Sequence, residues 1–230
     1  MTQLYLVGTH HLDLNGPERL EKFLGFVRPD TIGLESTVEN YHRRIQDHDQ
    51  LKGQKLLLRL MLKDQYSPEA AENVVKYLNI LGYELWVPTK FSGENSGIRL
   101  VHCDEYRKED MKVMTQEVFG DRVNEAQEVT TDFIDDIAKM DFEDYQRRVD
   151  ASYQDNTVAE LQKDSASFKK LFLDRDERAD PKIRQAFLGS SHTMVYVGGT
   201  IHFFGDYDNL YERLKDLNPT RIRLPEVDQF

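Results

Sequence analysis

A short motif that occurs twice constrains the fold of this chain more than any other feature. An apolar segment at 4–11 ends in Gly-Thr-His-His, and a second apolar segment at 195–202 ends in Gly-Thr-Ile-His. Gly8 of the first copy lies 191 residues before Gly199 of the second. Downstream, both copies contain leucines at matched spacing, followed by a Pro-x-x-Ile-x-Leu sequence. Agreement at so many positions indicates two related units in one chain.

Each unit predicts a strand, a turn, a helix and a second strand. A glycine near the end of an apolar strand permits a sharp turn, and a proline ends the helix before the second strand. Residues 16–18, Gly-Pro-Glu, are typical of a helix start. We therefore predict an α/β protein with a pseudo-duplicated β-α-β core and a central mixed or mostly parallel sheet flanked by helices. Ligands bind beyond the carboxyl ends of such strands, where we expect His11 and His202.

The segment after the first unit predicts further helices and one more pair of strands. Residues 38–64 are interpreted as mainly helical, although 56–62 could form a strand. Residues 67–82 begin with Ser-Pro-Glu, which is typical of a helix start. Residues 83–87 and 98–103 predict the two strands.

From residue 105 the sequence is charged and predicts a helical insertion at approximately 105–190. The predicted helices of this insertion lie at 105–119, 131–149 and 157–173. Because no stretch of linker-like composition separates the insertion from its surroundings, we predict a single domain over residues 1–230.

The charge balance and the single cysteine exclude several classes of protein. With 41 acidic and 30 basic residues the net charge is −11, and the basic pairs at 43–44 and 147–148 are isolated, so we expect no nucleic-acid partner. One cysteine, Cys103, cannot form an intramolecular disulfide or a thiolate metal cluster, which fits a reducing compartment. No leader and no apolar run long enough for a bilayer is visible, so we expect a soluble, cytoplasmic protein without a membrane partner. The oligomeric state stays open, a homodimer included.

The two motif histidines are the first candidates for chemistry. A single Gly-x-x-His is more often a turn with a hydrogen-bonded histidine than a site, but its occurrence at equivalent places in both units favours a shared role for His11 and His202. Glu35 follows the second predicted strand, where it could bind a metal, polarise water or orient an imidazole, or serve only as an acid at a helix start. The equivalent position of the second unit is Pro225, so only one unit supplies this acid.

The ordered motifs resemble those of the TraB/PrgY pheromone-shutdown family, which is related to the Tiki, GumN, ChaN and erythromycin-esterase proteins. The motifs that carry the resemblance lie at 6–11, 16–20, 29–35, 175–176 and 197–202. They span nearly the whole chain, although its middle matches only in layout. The resemblance implies that both Gly-x-x-His motifs, a glutamate and an arginine converge on one cleft.

Carried over to this sequence, the implied catalytic residues are His11, His202, Glu35 and Arg175. The implied substrate-binding residues are His10, Arg43, Arg44 and Asp176. Two imidazoles and one carboxylate leave room for water on a hydrolytic divalent ion, and the resemblance implies manganese, cobalt or zinc held by His11, His202 and Glu35. Arg175 would stabilise the developing oxyanion or clamp a substrate carboxylate.

The function predicted from this set is a metal-dependent hydrolase, a metallopeptidase that acts on peptides. The alternatives are a non-catalytic regulator that sequesters peptides, a metal-free hydrolase in which the histidines act as base and acid, and haem binding as in the ChaN branch. The sequence departs from the family at Ala179, where the family has a larger residue, and at His10, an extra imidazole. The membrane segments of some relatives are absent, so no membrane role is implied.

Other polar residues are weaker candidates. Cys103 is interpreted as a core residue at a strand end, because the adjacent His102 would point to the opposite side of the strand. Residues 174–178 could be only a solvated run of charges. The glycines at 198–199 lack the lysine of a phosphate-binding loop.

Overall fold

A five-stranded parallel sheet forms the centre of the molecule. The computed structural model describes residues 2–105 and 131–229, so the predicted helix at 105–119 lies outside the described residues beyond Glu105. The strands are β1 Gln3–Thr9, β2 Thr31–Leu34, β3 Arg99–His102, β4 Thr193–Gly199 and β5 Thr220–Arg223. All pairings are parallel, and the strand order is β3-β2-β4-β1-β5. The predicted α/β architecture with a parallel central sheet is confirmed.

Helices cover both faces of this sheet. Those before β3 are α1 Gly16–Val27, α2 Val38–Leu62, α3 Pro68–Ile80 and α4 Tyr83–Glu94. Those between β3 and β4 are α5 Thr131–Ala138, α6 Phe142–Ser152, α7 Thr157–Gln162, α8 Ala166–Phe168 and α9 Asp174–Leu188, with a π-helical turn Lys169–Leu173 before α9. After β4 come the 3-10 turn Thr200–His202, α10 Leu210–Arg213 and the 3-10 turns Lys215–Leu217 and Leu224–Gln229. Within the described ranges, no helix is long and apolar enough to cross a bilayer.

The two sequence units interlock in the sheet. Their first strands, β1 and β4, pair along their whole length, with Gly8 beside Gly198. The second strand of each unit pairs with the first strand of the other unit, β2 with β4 and β5 with β1. The repeated leucines face opposite sides, since Leu20 of α1 packs on one face of the sheet and Leu210 of α10 on the other. The carboxyl ends of β1 and β4 therefore lie side by side.

Each face of the sheet carries its own hydrophobic core. Along β1, Val7 belongs to the core under α1 and α4, whereas Leu4 and Leu6 belong to the core under α9 and α10. Such alternation with both faces buried is expected for a parallel sheet covered by helices. All three side chains are fully buried, and each contributes about 1.5–3 kcal/mol relative to an exposed position. These cores fix the strand ends that carry the polar residues described below.

The predicted strand at 83–87 is wrong, because these residues form the first part of α4. The buried residues of α4 are Tyr83, Glu84, Val87 and Pro88, a spacing that places them on one helical face. Over so few residues the same apolar pattern also fits a strand, so periodicity alone could not separate the two. Gly82 adopts a left-handed φ of 68° that starts the helix. The predicted strand at 98–103 is confirmed as β3, and 56–62 belongs to α2.

Candidate active site

His11 lies at the wall of a cavity and is held there by a buried carboxylate. It follows the end of β1, and its Nδ1 is 2.6 Å from Oε1 of Glu84 in the first turn of α4. Thr9 Oγ1 lies 3.4 Å from the same oxygen. The charge of Glu84 raises the pKa of His11 to about 9. Because 76% of the His11 side chain is exposed, its other ring nitrogen, Nε2, is the one that a ligand or water can reach.

His202 has the opposite environment, although it belongs to the same motif. It lies in the 3-10 turn after β4 and is only 5% exposed. Its Nδ1 is 2.5 Å from Oδ1 of Asp176, and its Nε2 is 3.1 Å from Oε1 of Glu35. Burial lowers the pKa of His202, but the charges of Asp176 and Glu35 outweigh burial and raise this pKa to about 10. With a carboxylate on each ring nitrogen, His202 is a fixed internal cation.

Glu35 and Arg175 continue this chain of charges. Glu35 Oε1 accepts a hydrogen bond of 2.8 Å from Arg175 Nη2, and its Oε2 accepts one of 2.7 Å from the backbone N–H of Gly199. Arg175 Nη2 also donates to Oδ2 of Asp104 at 2.6 Å. Burial works to raise the pKa of Glu35, but His202 and Arg175 outweigh burial and hold this pKa far below its usual range. Glu35 is thus ionised at neutral pH, and each of its oxygens has at least one hydrogen-bond partner.

The cavity lies at the carboxyl ends of β1, β2 and β4 and has a volume of about 430 Å³. Its polar lining includes His11, Glu84, Arg175, Arg43 and Arg44. This is the position at which parallel α/β sheets bind ligands, and the volume falls in the range usual for small-molecule sites, roughly 300–1,000 Å³.

Three predicted site residues are placed away from this lining. His202 and Asp176 lie behind the wall, where Asp176 is 2% exposed and also accepts the backbone N–H of Leu210 at 2.9 Å. His10 packs its ring against Tyr153 with centroids 6.0 Å apart, and burial lowers its pKa. Asp176 therefore orients His202, and neither it nor His10 faces the cavity.

The predicted metal ligands do not fit a divalent ion in this arrangement. Both ring nitrogens of His202 are engaged by carboxylates, and both oxygens of Glu35 accept hydrogen bonds or lie against His202. Across residues 2–105 and 131–229, no three histidine, cysteine, aspartate or glutamate side chains are grouped so that they could hold a metal ion. A metal at His11, His202 and Glu35 stays a prediction that would require these bonds to open.

Sequence reasoning missed Glu84 and Asp104. Glu84 was missed because 83–87 was predicted as a strand; as a helix start, an acid two residues after Gly82 would have placed a carboxylate at an element end. Asp104 follows β3 by two residues, so the rule that placed Glu35 after β2 would also have identified it.

Side chains of α4 and α6 hold the loop that carries His10 and His11. The loop spans residues 10–15. Four of its backbone N–H and C=O groups form hydrogen bonds with side chains of α4, of α6 or of the residue directly after α6. The bonds are Tyr83 OH to His10 O at 3.2 Å, His10 N to Tyr153 OH at 2.9 Å, Tyr145 OH to Leu12 O at 3.1 Å, and Leu14 N to Gln146 Oε1 at 2.9 Å. Because Tyr145, Gln146 and Tyr153 belong to or directly follow α6, the helical insertion fixes the position of the loop.

A buried ion network lies beneath the loop. Asp13 is fully buried and accepts hydrogen bonds from Tyr153 OH at 3.0 Å and from Arg19 Nη1 at 3.1 Å. Arg19 also binds Asp150 at 2.7 Å and Asp228 at 2.6 Å. A buried charge requires such partners, and this set connects the loop to α1, α6 and the segment after β5.

No family model, curated protein or solved structure matches the chain.

Proposed function

We propose that this protein is a hydrolase in which His11, oriented by Glu84, is the general base for a water molecule. The observation that carries the proposal is the 2.6 Å contact between His11 Nδ1 and Glu84 at the wall of the cavity. A carboxylate on one ring nitrogen fixes the tautomer and leaves the other nitrogen to accept a proton. The substrates are peptides or small molecules with a carbonyl group open to hydrolysis.

The proposed reaction uses only side chains that line the cavity. His11 Nε2 takes a proton from water while the water oxygen attacks the substrate carbonyl carbon, and Glu84 stabilises the imidazolium that forms. Arg175, 11% exposed at the wall, stabilises the oxyanion of the tetrahedral intermediate. When the carbon–nitrogen or carbon–oxygen bond breaks, the imidazolium returns the proton to the leaving amine or alcohol.

His202 acts as a positioning residue in this proposal. As an internal cation it holds Glu35 ionised, and Glu35 in turn bonds to Arg175 at 2.8 Å. The proposal therefore keeps the motifs of the TraB/PrgY resemblance but gives the two histidines unequal roles. It takes the metal-free alternative, because both ring nitrogens of His202 are engaged by carboxylates and Glu35 already bonds to Arg175, His202 and the Gly199 N–H.

The test is a hydrolysis screen of peptides and esters with the purified full chain, in chelator and after addition of manganese, cobalt or zinc. We expect turnover in chelator, with His11→Gln slower by about a hundredfold or more. His192→Gln serves as the matched control, because His192 is exposed before β4 and remote from the cavity. Turnover that needs metal, or that survives His11→Gln, would overturn the proposed mechanism.

A second candidate is a non-catalytic regulator that binds peptides. It is favoured by the raised pKa of His11, since an imidazole with a pKa of about 9 is a cation at neutral pH. Together with the arginines of the lining, this cation would bind an anionic ligand without reaction. Tight peptide binding without turnover at any pH from 6 to 10 would select this candidate.

A further inference from the structure

In the cavity lining every carboxylate has a cationic partner, but two of the cations have no ion-pair partner among the described residues. Each of its carboxylates contacts a cationic group, Glu84 with His11 at 2.6 Å and Glu35 and Asp104 with Arg175 at 2.8 and 2.6 Å. Arg43 and Arg44 add two further cations to the lining. Arg43 Nη2 lies 3.2 Å from the neutral Oδ1 of Asn40, and neither arginine forms an ion pair with a described residue.

The fold places these two arginines in the lining of the cavity that also holds the proposed base. α2 begins at Val38, three residues after Glu35, and Thr37 caps it by accepting the backbone N–H of Asn40 at 3.1 Å. The second turn of α2 thus lies at the same edge of the sheet as the ends of β1 and β4. Both arginines are exposed and share the cavity with His11 and Arg175.

Part of the lining is apolar. It includes Leu12 of the loop after β1, Leu81 between α3 and α4, and Leu85 of α4. A cavity of about 430 Å³ whose lining includes three leucines and two arginines without ion-pair partners among the described residues fits a small ligand that has an apolar part and an oxyanion.

We propose that the substrate carries a free carboxylate, which Arg43 and Arg44 bind while an apolar side chain contacts the leucines. This inference rests on the proposed function and names its substrate class: short acylated peptides or related esters that end in a carboxylate. The planar guanidinium group binds a carboxylate through two parallel hydrogen bonds. In a protein of net charge −11, these two cations also attract an anionic ligand to one edge of the molecule.

The test is calorimetric binding of three probes to the full chain carrying His11→Gln, which slows turnover during the titration. The probes are N-acetyl-leucyl-alanine, its carboxyl-terminal amide, and phenyl phosphate. We expect the acid to bind about ten to a hundred times more tightly than the amide, as charge-assisted hydrogen bonds allow. Equal binding of acid and amide would overturn the proposal, and tighter binding of phenyl phosphate than of the acid would overturn the choice of carboxylate.

The matched variants change one adjacent arginine pair each. Replacing Arg43 and Arg44 by glutamine removes the preference for the acid, whereas the same change at Arg147 and Arg148 of α6 keeps it. The control pair is 73% and 72% exposed and bonds only to Asp144 among the ion pairs of the described residues. Loss of the preference in the control variant would contradict a local carboxylate site. All of the variants change exposed side chains, so unchanged melting temperatures are expected.

Turnover by the wild type separates the two proposals. Preference for the acid without any hydrolysis supports the carboxylate site and overturns the hydrolase. Hydrolysis that does not distinguish acid from amide supports the hydrolase and overturns the carboxylate site.

Discussion

At the scale of single residues, the partner carboxylates decide what each motif histidine can do. His11 has one carboxylate, Glu84, and an exposed ring. His202 has two, Asp176 and Glu35, and a buried ring. A proton on His11 can exchange with water in the cavity, whereas a proton on His202 can leave only at the cost of two buried, charge-assisted bonds. General base catalysis therefore belongs to the first histidine and charge compensation to the second.

The first prediction concerns Glu84→Gln. Removal of the carboxylate charge lowers the pKa of His11 from about 9 towards its ordinary value of 6.5, because Glu84 is the largest cause of the rise. The measurement is an NMR pH titration of the histidine ring signals. Glu21→Gln is the control, since Glu21 pairs with Lys90 at 2.8 Å on the surface. An unchanged His11 titration in Glu84→Gln would show that this contact does not exist in solution.

The second prediction concerns Asp176→Asn. The change leaves the buried His202 cation with one carboxylate, and breaking such a pair costs about 3 kcal/mol or more of the free energy of unfolding. Urea denaturation measures the loss. Asp216→Asn is the comparison, because Asp216 is 62% exposed in its pair with Arg184 and should lose at most about 1 kcal/mol. Equal, small losses in both variants would contradict a buried charge chain.

The sequence predicted part of this residue-scale picture. Both histidines and Glu35 were expected after strand ends at one edge of the sheet, and the strand ends place them there. Arg175 was implied only by the family resemblance, and the first turn of α9 brings it to Glu35. The difference between the histidines was not predictable, because two of the three carboxylates that set it, Glu84 and Asp176, come from outside the repeat. Glu84 lies 73 residues after His11 and Asp176 lies 26 residues before His202.

At the scale of elements, α6 contributes to the site by forming hydrogen bonds with the backbone of the loop at 10–15. Tyr145 OH and Gln146 Oε1 bond to that backbone, and Tyr153 OH accepts the His10 N–H while donating to the buried Asp13. Loops that carry functional residues are usually the less stable parts of a fold. Here the helical insertion restrains the loop and keeps His11 against Glu84.

The third prediction concerns Tyr153→Phe. The ring stays, but the loss of its hydroxyl leaves the His10 N–H and one bond of Asp13 unsatisfied, at a cost of about 1–3 kcal/mol. We expect faster hydrogen exchange of the His10 amide together with a lower free energy of unfolding. Tyr211→Phe is the control, because that ring packs against Arg221 at 3.7 Å and its hydroxyl forms no hydrogen bond with a described residue. Similar exchange at His10 in both variants would refute the restraint.

The sequence predicted these elements unevenly. The periodic segment that became α3 and the strands of the repeat follow from their patterns alone, whereas for α2 the pattern left a strand at 56–62 open. The error at 83–87 had a functional consequence, because a strand would have placed Tyr83 and Glu84 on opposite faces, whereas a helix start lets both reach the loop after β1. The contacts between α6 and the loop join residues more than 130 positions apart, which no local pattern encodes.

At the scale of the whole molecule, the interlocked sheet explains why one site receives residues from the entire chain. β1 and β4 lie side by side at the centre, and β2 and β5 flank them. Their carboxyl ends open at one edge, where the cavity lies. The repeat in the sequence predicted the paired units and the parallel sheet, but the charge balance of the edge depends on side chains from α2, α4 and α9 that the repeat does not contain.

The fourth prediction concerns stability against pH. The folded pKa of His202, about 10, lies above its ordinary value of 6.5. The stabilising contribution of this group is therefore complete below pH 6.5 and is lost as the pH rises towards 10, with a slope of up to about 1.4 kcal/mol per pH unit. Urea denaturation at pH 7, 8 and 9 measures the decline. His202→Gln should lose about half of the slope, because His11, with a pKa raised to about 9, contributes the rest. His192→Gln should keep the full slope, and a flat wild-type profile would contradict a protonated His202.

The measurement that tests the central claim most directly is the pH dependence of kcat/KM for hydrolysis by the wild type and Glu84→Gln in the presence of chelator. With His11 as general base and its pKa near 9, the wild-type rate rises with pH and levels off near pH 9. In Glu84→Gln the rise moves towards pH 6.5 and the plateau falls, because the imidazolium loses its carboxylate. Coincident profiles for the two proteins would contradict the assignment of His11 and Glu84 as the base and its orienting residue.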